Sequence, residues 1–123
     1  MFSAFNSARS VVTLFHSPTS SASRRALQAL KQSAPLLEKA RYKLDVTEAA
    51  PTADQLKTIV QYLGPEKVSA IVDGASTLRE AYSITAQSPD SVLRPIVVDW
   101  INGKVVAGPN DEGLKKLISD ITK

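Results

Sequence analysis

The run Val11-Val12-Thr13-Leu14-Phe15 restricts the fold more than any other feature of the chain. Every residue in it is apolar or β-branched, so it reads as a buried strand. It stops at His16-Ser17-Pro18-Thr19-Ser20, which is turn composition. From Ser21 the pattern becomes helical, with Ala26, Leu27 and Leu30 about a turn apart and the helix continuing towards Gln32. Ser20 or Ser21 is the natural cap, its hydroxyl accepting from a free amide of the first turn. Pro35 closes this unit. Tyr42-Lys43-Leu44-Asp45-Val46 then alternates at period two, a second strand with one buried face. Strand, helix and strand in this order demand two parallel strands and a right-handed crossover.

The remainder of the chain builds on that pair. Thr52-Ala53-Asp54-Gln55 is a capping box opening a helix through Leu56, Ile59, Val60 and Leu63, ended by Gly64-Pro65. Lys67 to Asp73 fits no clean period and reads equally as a short strand or a loop. Ser76 or Thr77 caps a further helix with Leu78, Ala81, Tyr82 and Thr85 on one face, broken at Ser88-Pro89-Asp90. Arg94-Pro95 precedes a third strand, Ile96 to Trp100, and Asn102-Gly103 turns the chain into a fourth, Lys104 to Ala107. Asn110 caps a last helix with Leu114, Leu117, Ile118 and Ile121 inward. The expected architecture is α/β: a four-stranded mixed sheet flanked by helices, βαβ first, then one or two helices, then a β-hairpin and a C-terminal helix. That is the thioredoxin-like arrangement.

At 123 residues the chain fits one domain with a real core, expected over residues 11–123. It contains no cysteine, which excludes disulfides, Cys-ligated zinc and iron–sulfur clusters. A single His and scattered carboxylates give no expected metal site. The 15 basic and 12 acidic residues are interspersed, and the aromatics are spread along the chain, so no nucleic-acid surface is expected. No apolar run approaches the roughly 20 residues that span a bilayer, so no membrane segment is expected. Charge is nevertheless uneven. No Asp or Glu precedes Glu38, whereas Arg9, Arg24, Arg25, Lys31 and many serines lie in that stretch. Organelle transit peptides have this composition, and so do chance stretches of a slightly basic chain. With the first strand at Val11, residues 1–10 remain as a short mitochondrial leader.

Two places offer chemistry, and the expected fold sets them side by side. One is the loop and helix start from His16 to Arg24. Unpaired amides and the helix dipole favour an anion or thiolate there, with Ser17, Ser20, Ser21 and Arg24 at hand; an ordinary Ser-capped helix has the same sequence. A nucleophilic Ser would need His16 as its base, and no supporting triad order or nucleophile elbow accompanies it. The other is Arg94-Pro95. A proline entering a central strand cannot donate to the ladder, and a cis bond would account for its tolerance. Arg94 would grip a carboxylate or oxyanion, or be solvated. Asp99-Trp100 reads as a packing aromatic beside a partly exposed acid.

Val12-Thr13-Leu14-Phe15-His16-Ser17-Pro18, with Ser20 and Ser23-Arg24-Arg25-Ala26-Leu27, resembles the start of arsenate-reductase-like thioredoxin-fold proteins. Arg94-Pro95-Ile96-Val97-Val98 resembles their later strand. A closer resemblance is to a small fungal family of redox proteins found in the mitochondrial proteome, through Thr13 to His16, Ser23 to Leu27 and above all Val98-Asp99-Trp100-Ile101-Asn102-Gly103-Lys104-Val105-Val106. The resemblance implies a thioredoxin-like fold, a mitochondrial location and oxidoreductase activity. It also implies a reactive thiol at Ser20 or near Ser83 and Ile84, and none of these is Cys. Two functions follow as expectations. One is a redox-family protein acting at most through a bound thiol such as glutathione. The other is a non-catalytic module holding a peptide, an anion or a protein partner. No catalytic residue is assigned; the candidate ligand-binding residues are His16, Ser17, Ser20, Ser21, Arg24, Arg94 and Pro95.

Overall fold

A computed structural model describes residues 10–39 and 42–122. Of the expected leader, all but Ser10 lies outside the described residues. Strand β1 (Ser10–Phe15) leads into helix α1 (Ser21–Lys39) and parallel strand β2 (Tyr42–Thr47). Helices α2 (Ala53–Leu63) and α3 (Leu78–Gln87) follow, then strands β3 (Ile96–Asp99) and β4 (Lys104–Ala107) and helix α4 (Asp111–Thr122). The strands form one mixed sheet in the order β2-β1-β3-β4, with β3 antiparallel to both its neighbours. This is the four-stranded arrangement expected from the sequence.

The period of two in β1 divides its side chains between two cores. Val12 and Leu14, with Val97 of β3, pack under α1 and α4 against Ala26, Leu30, Leu114, Leu117 and Ile121. Phe15, with Ile96 and Val98, faces the other side, against Leu56, Ile59 and Val60 of α2 and Ala81 of α3. Each fully buried Leu, Ile or Phe side chain contributes about 1.5–3 kcal/mol over its exposed state. Because both faces are covered, β1 and β3 are buried and mostly apolar, with Thr13 and Asp99 as buried polar exceptions, whereas β2 at the sheet edge is not. Its Leu44 packs on the α1 side, but Val46 is 40% exposed, so the buried face expected of that strand is incomplete.

The capping predictions hold in detail. Thr52 and Gln55 form the reciprocal box, Thr52 Oγ1 accepting from Gln55 N at 3.2 Å and Gln55 Oε1 from Thr52 N at 2.9 Å. Thr77 caps α3 and Asn110 caps α4, each through its side-chain oxygen. Of the two candidates for α1, Ser20 is the cap: its Oγ accepts from Ser23 N at 3.2 Å.

Four expectations are corrected. Helix α1 does not close at Pro35 but runs to Lys39. A helix proline removes a single i→i−4 bond, and the turns on either side carry the helix on. Lys67 to Asp73 is neither strand nor plain loop: a 3₁₀ helix (Pro65–Ala70) leads to an isolated bridge between Val72 and Val92. Trp100 lies beyond β3, in a loop of Trp100 to Gly103 that the Asp99–Lys104 pairing closes. Asp99 is 1% exposed rather than partly solvated. Its two carboxylate oxygens accept from the Asn102 amide and from Asn102 Nδ2 at 3.2 and 2.8 Å, which folds the loop. Gly103 completes it at φ 68°, a left-handed conformation costly for other residues. Trp100 Nε1 donates to Thr13 Oγ1 at 2.8 Å, and Tyr62 Oη donates to the Trp100 carbonyl at 3.0 Å, tying the hairpin to β1 and α2.

Candidate functional site

The topology brings three loops to one edge of the sheet. Parallel strands β1 and β2 end there and antiparallel β3 begins there, so the β1–α1 loop lies between the segment after β2 and the segment before β3. Ligands of open α/β sheets bind at such strand ends. A cleft of about 440 Å³ opens here, lined by His16 to Ser20 on one side, Val92 to Arg94 and Asp90 on another, and Glu48 on the third.

The β1–α1 loop is held from inside by Ser23. This serine is 0% exposed. It sits on the stripe of Ala26 and Leu30 that α1 turns to the core, so its hydroxyl needs partners. It has two: His16 Nδ1 at 2.6 Å and the Ser17 amide at 2.9 Å. Ser20 N donates to Ser17 O at 3.1 Å and Arg24 N to Ser20 O at 3.0 Å, which closes the turn into α1. The amides of Ser21 and Ala22 have no acceptor among the described residues, as expected of a first helical turn. No acidic residue occupies that turn, so nothing on α1 offsets the positive end of its dipole.

Arg94 is fixed by backbone. Its Nη1 donates to the carbonyls of Val92 and Pro89 at 2.8 and 3.3 Å, and its Nη2 to that of Glu48 at 3.3 Å. That leaves Nε–H and one Nη2–H without a protein acceptor among the described residues. The peptide bond from Arg94 to Pro95 is cis. Beside it, Leu93 N donates to Ile71 O at 2.8 Å and Asp73 N to Ser91 O at 2.9 Å, anchoring the approach to β3.

The seven residues singled out from the sequence do not all meet. His16, Ser17, Ser20 and Arg94 line the cleft together. Ser21 and Arg24 border a separate open groove on the outer side of α1, and Arg24 Nη1 folds back to the Pro18 carbonyl at 2.9 Å. Pro95 is buried beneath α1 near Ala22 and Ala26, its carbonyl accepting from Gly108 N at 2.8 Å. Ser83, the second position where the resemblance implies a thiol, is exposed on α3 and does not line the cleft. Sequence reasoning missed Ser23, Glu48 and Asp90. Ser23 carried a signal, a hydroxyl residue on an apolar helical stripe. Glu48 and Asp90 carried none, because only the strand order brings those loop acids to the cleft.

A serine beside a histidine invites comparison with a nucleophile–base pair. Ser23 at 0% exposure is sealed from any substrate, so this pair holds the loop in shape. Ser20, which does reach the cleft, accepts from Ser23 N rather than bonding to a base.

Comparison with known proteins follows the same lines. The chain is 36% identical over 64 residues to the "Putative redox protein fmp46, mitochondrial" of Schizosaccharomyces pombe, a match spanning 52% of this chain and 53% of that protein. The arsenate reductase of Vibrio cholerae superposes with a TM-score of 0.66 at 24% identity, over 87% of this chain and 97% of its own. That likeness establishes an arsenate-reductase-like, thioredoxin-like fold. The chain belongs to the family described as protein of unknown function (DUF1687), whose model matches residues 2–108.

Proposed function

We propose that this chain is a mitochondrial, ligand-binding member of a redox-protein family. Its cleft holds a small thiol of the glutathione class, and any thiol chemistry belongs to the bound molecule. The observation that carries this reading is the cleft itself: uncommitted Arg94 donors share it with the loop that enters α1, in a chain without cysteine. A helix N-terminus and a guanidinium both favour a carboxylate or thiolate. Serine cannot replace the missing thiol, since its proton leaves far less readily and it forms no exchangeable disulfide. The mitochondrial part of the reading is supported by the acid-free, Arg- and Ser-bearing N-terminal composition and by the printed name of the Schizosaccharomyces pombe relative.

Amide chemical shifts during a titration with reduced glutathione test the proposal. Ser17, Ser20 and Arg94 are expected to move together and saturably, and Arg94→Ala is expected to abolish the response. Unmoved cleft amides at millimolar glutathione would sink it.

A second reading, an extended peptide in the same cleft, draws on one specific observation. The backbone N–H and C=O of Arg94 make no hydrogen bond among the described residues, so they are free to pair with another chain. A peptide that shifts the Arg94 amide where glutathione does not would favour this reading.

A further inference from the structure

The charges around the cleft are mixed, and they are kept apart. Glu48 and Asp90 line it together with Arg94. The Arg94 guanidinium bonds to the carbonyl of Glu48 itself and to that of Pro89, the neighbour of Asp90. It nevertheless forms no ion pair with either carboxylate. Neither carboxylate has a hydrogen-bond or ion-pair partner among the described residues. One guanidinium and two carboxylates thus share a 440 Å³ cleft without neutralising one another.

One further polar group borders the cleft. His16 is 7% exposed and lines the same cleft. Its Nδ1 lies 2.6 Å from Ser23 Oγ, which also accepts the Ser17 N–H. Its other ring nitrogen, Nε2, has no partner among the described residues, so the ring has one further polar atom to offer a ligand.

We infer that the cleft selects an amino-acid-like zwitterion, its carboxylate on Arg94 and its ammonium on Glu48 and Asp90. The inference rests on reading this cleft as a ligand site and adds what the ligand must carry. A compact inorganic dianion is poorly matched, because it would meet two carboxylates for one guanidinium. A plain dicarboxylate leaves Glu48 and Asp90 unanswered. The amino-carboxylate end of a γ-glutamyl thiol answers both sides.

Titrations of the whole chain with L-glutamate, glutarate, inorganic phosphate and reduced glutathione, read by amide shifts, test this. Glutamate and glutarate differ only in the ammonium group. Each solvent-screened charge pair is worth a factor of about two to five, so glutamate is expected to bind about tenfold more tightly than glutarate. The double variant Glu48→Gln/Asp90→Asn should erase that preference; both positions are exposed, so the fold tolerates it. Glutarate or phosphate binding as well as glutamate overturns the inference, as does a preference that survives the double variant. Glutamate binding without glutathione binding removes the thiol reading and leaves the zwitterion site standing. Glutathione binding that ignores the double variant does the reverse. No binding by any of the four removes both.

Discussion

Replacing Ser23 by alanine deletes one oxygen and strands two groups. His16 Nδ1 loses its contact at 2.6 Å and the Ser17 amide its contact at 2.9 Å. A polar group left buried without a partner costs about 1–3 kcal/mol. His16, nearly buried, belongs at the upper part of that range; Ser17 is half-buried, where water reaches it, and belongs at the lower. Removing a hydroxyl from a fully packed position adds a small void. The expected loss is about 3 kcal/mol in all, or a fall in Tm of about 10 °C for a chain of this size. Thermal and urea unfolding followed by far-UV circular dichroism measure it, with an unchanged m-value showing that stability alone has moved. Ser83→Ala on the exposed face of α3 is the control, expected within about 0.5 kcal/mol of the parent. The imidazole nitrogen spectrum gives an independent reading: the hydrogen bond between His16 Nδ1 and Ser23 Oγ should hold one tautomer in the parent, and Ser23→Ala should release that preference. A variant as stable as the control, with an unaltered tautomer, would refute the reasoning that this hydroxyl organises the loop.

Two further outcomes follow from local structure. Thr52→Ala removes the oxygen that accepts from Gln55 N at the start of α2, and should cost about 1 kcal/mol in urea unfolding; no change would mean that water caps the helix as well. Ser20→Cys places a thiol at the start of α1 on the cleft wall. The positive helix end should bring its pKa below the ordinary ~8.5, read as the midpoint of alkylation rate against pH. Ser83→Cys, within α3 and away from any helix start, should keep the ordinary midpoint; equal midpoints at the two positions would remove the electrostatic argument for the cleft.

What the sequence disclosed and what it withheld divide along physical lines. Caps were legible because a cap is a local bargain between one side chain and an amide about three residues on; Thr52, Thr77 and Asn110 all act as their spacing requires. The apolar faces of β1 and α4 were legible because periodicity reports burial directly. Pro35 misled because its local preference was outweighed by the turns on either side of it. Asp99 misled because an acid beside a turn is usually solvated, and only the fold shows this one closing the hairpin from within. The cleft was half legible. Its β1–α1 loop and Arg94 announced themselves by composition, whereas Glu48 lies 46 residues from Arg94 in sequence and meets it only through the strand order.

The most distinctive part of the family resemblance, the Val98 to Val106 hairpin, is separated from the cleft. Phe15 pairs with Ile96 at the cleft end of β1 and β3, and Val12 pairs with Asp99 at the other. The Val98 to Val106 hairpin therefore turns at the far end of the sheet. The contacts Trp100 to Thr13, Tyr62 to Trp100 and Asp99 to Asn102 there are architectural. A chain can keep that signature, and with it the fold, while its cleft acquires a different set of charges. The arsenate-reductase-like fold consequently constrains where the cleft lies, not which ligand it would hold. On the zwitterion reading the latter question falls to Arg94, Glu48 and Asp90, and the contrast between glutamate and glutarate addresses the two carboxylates directly.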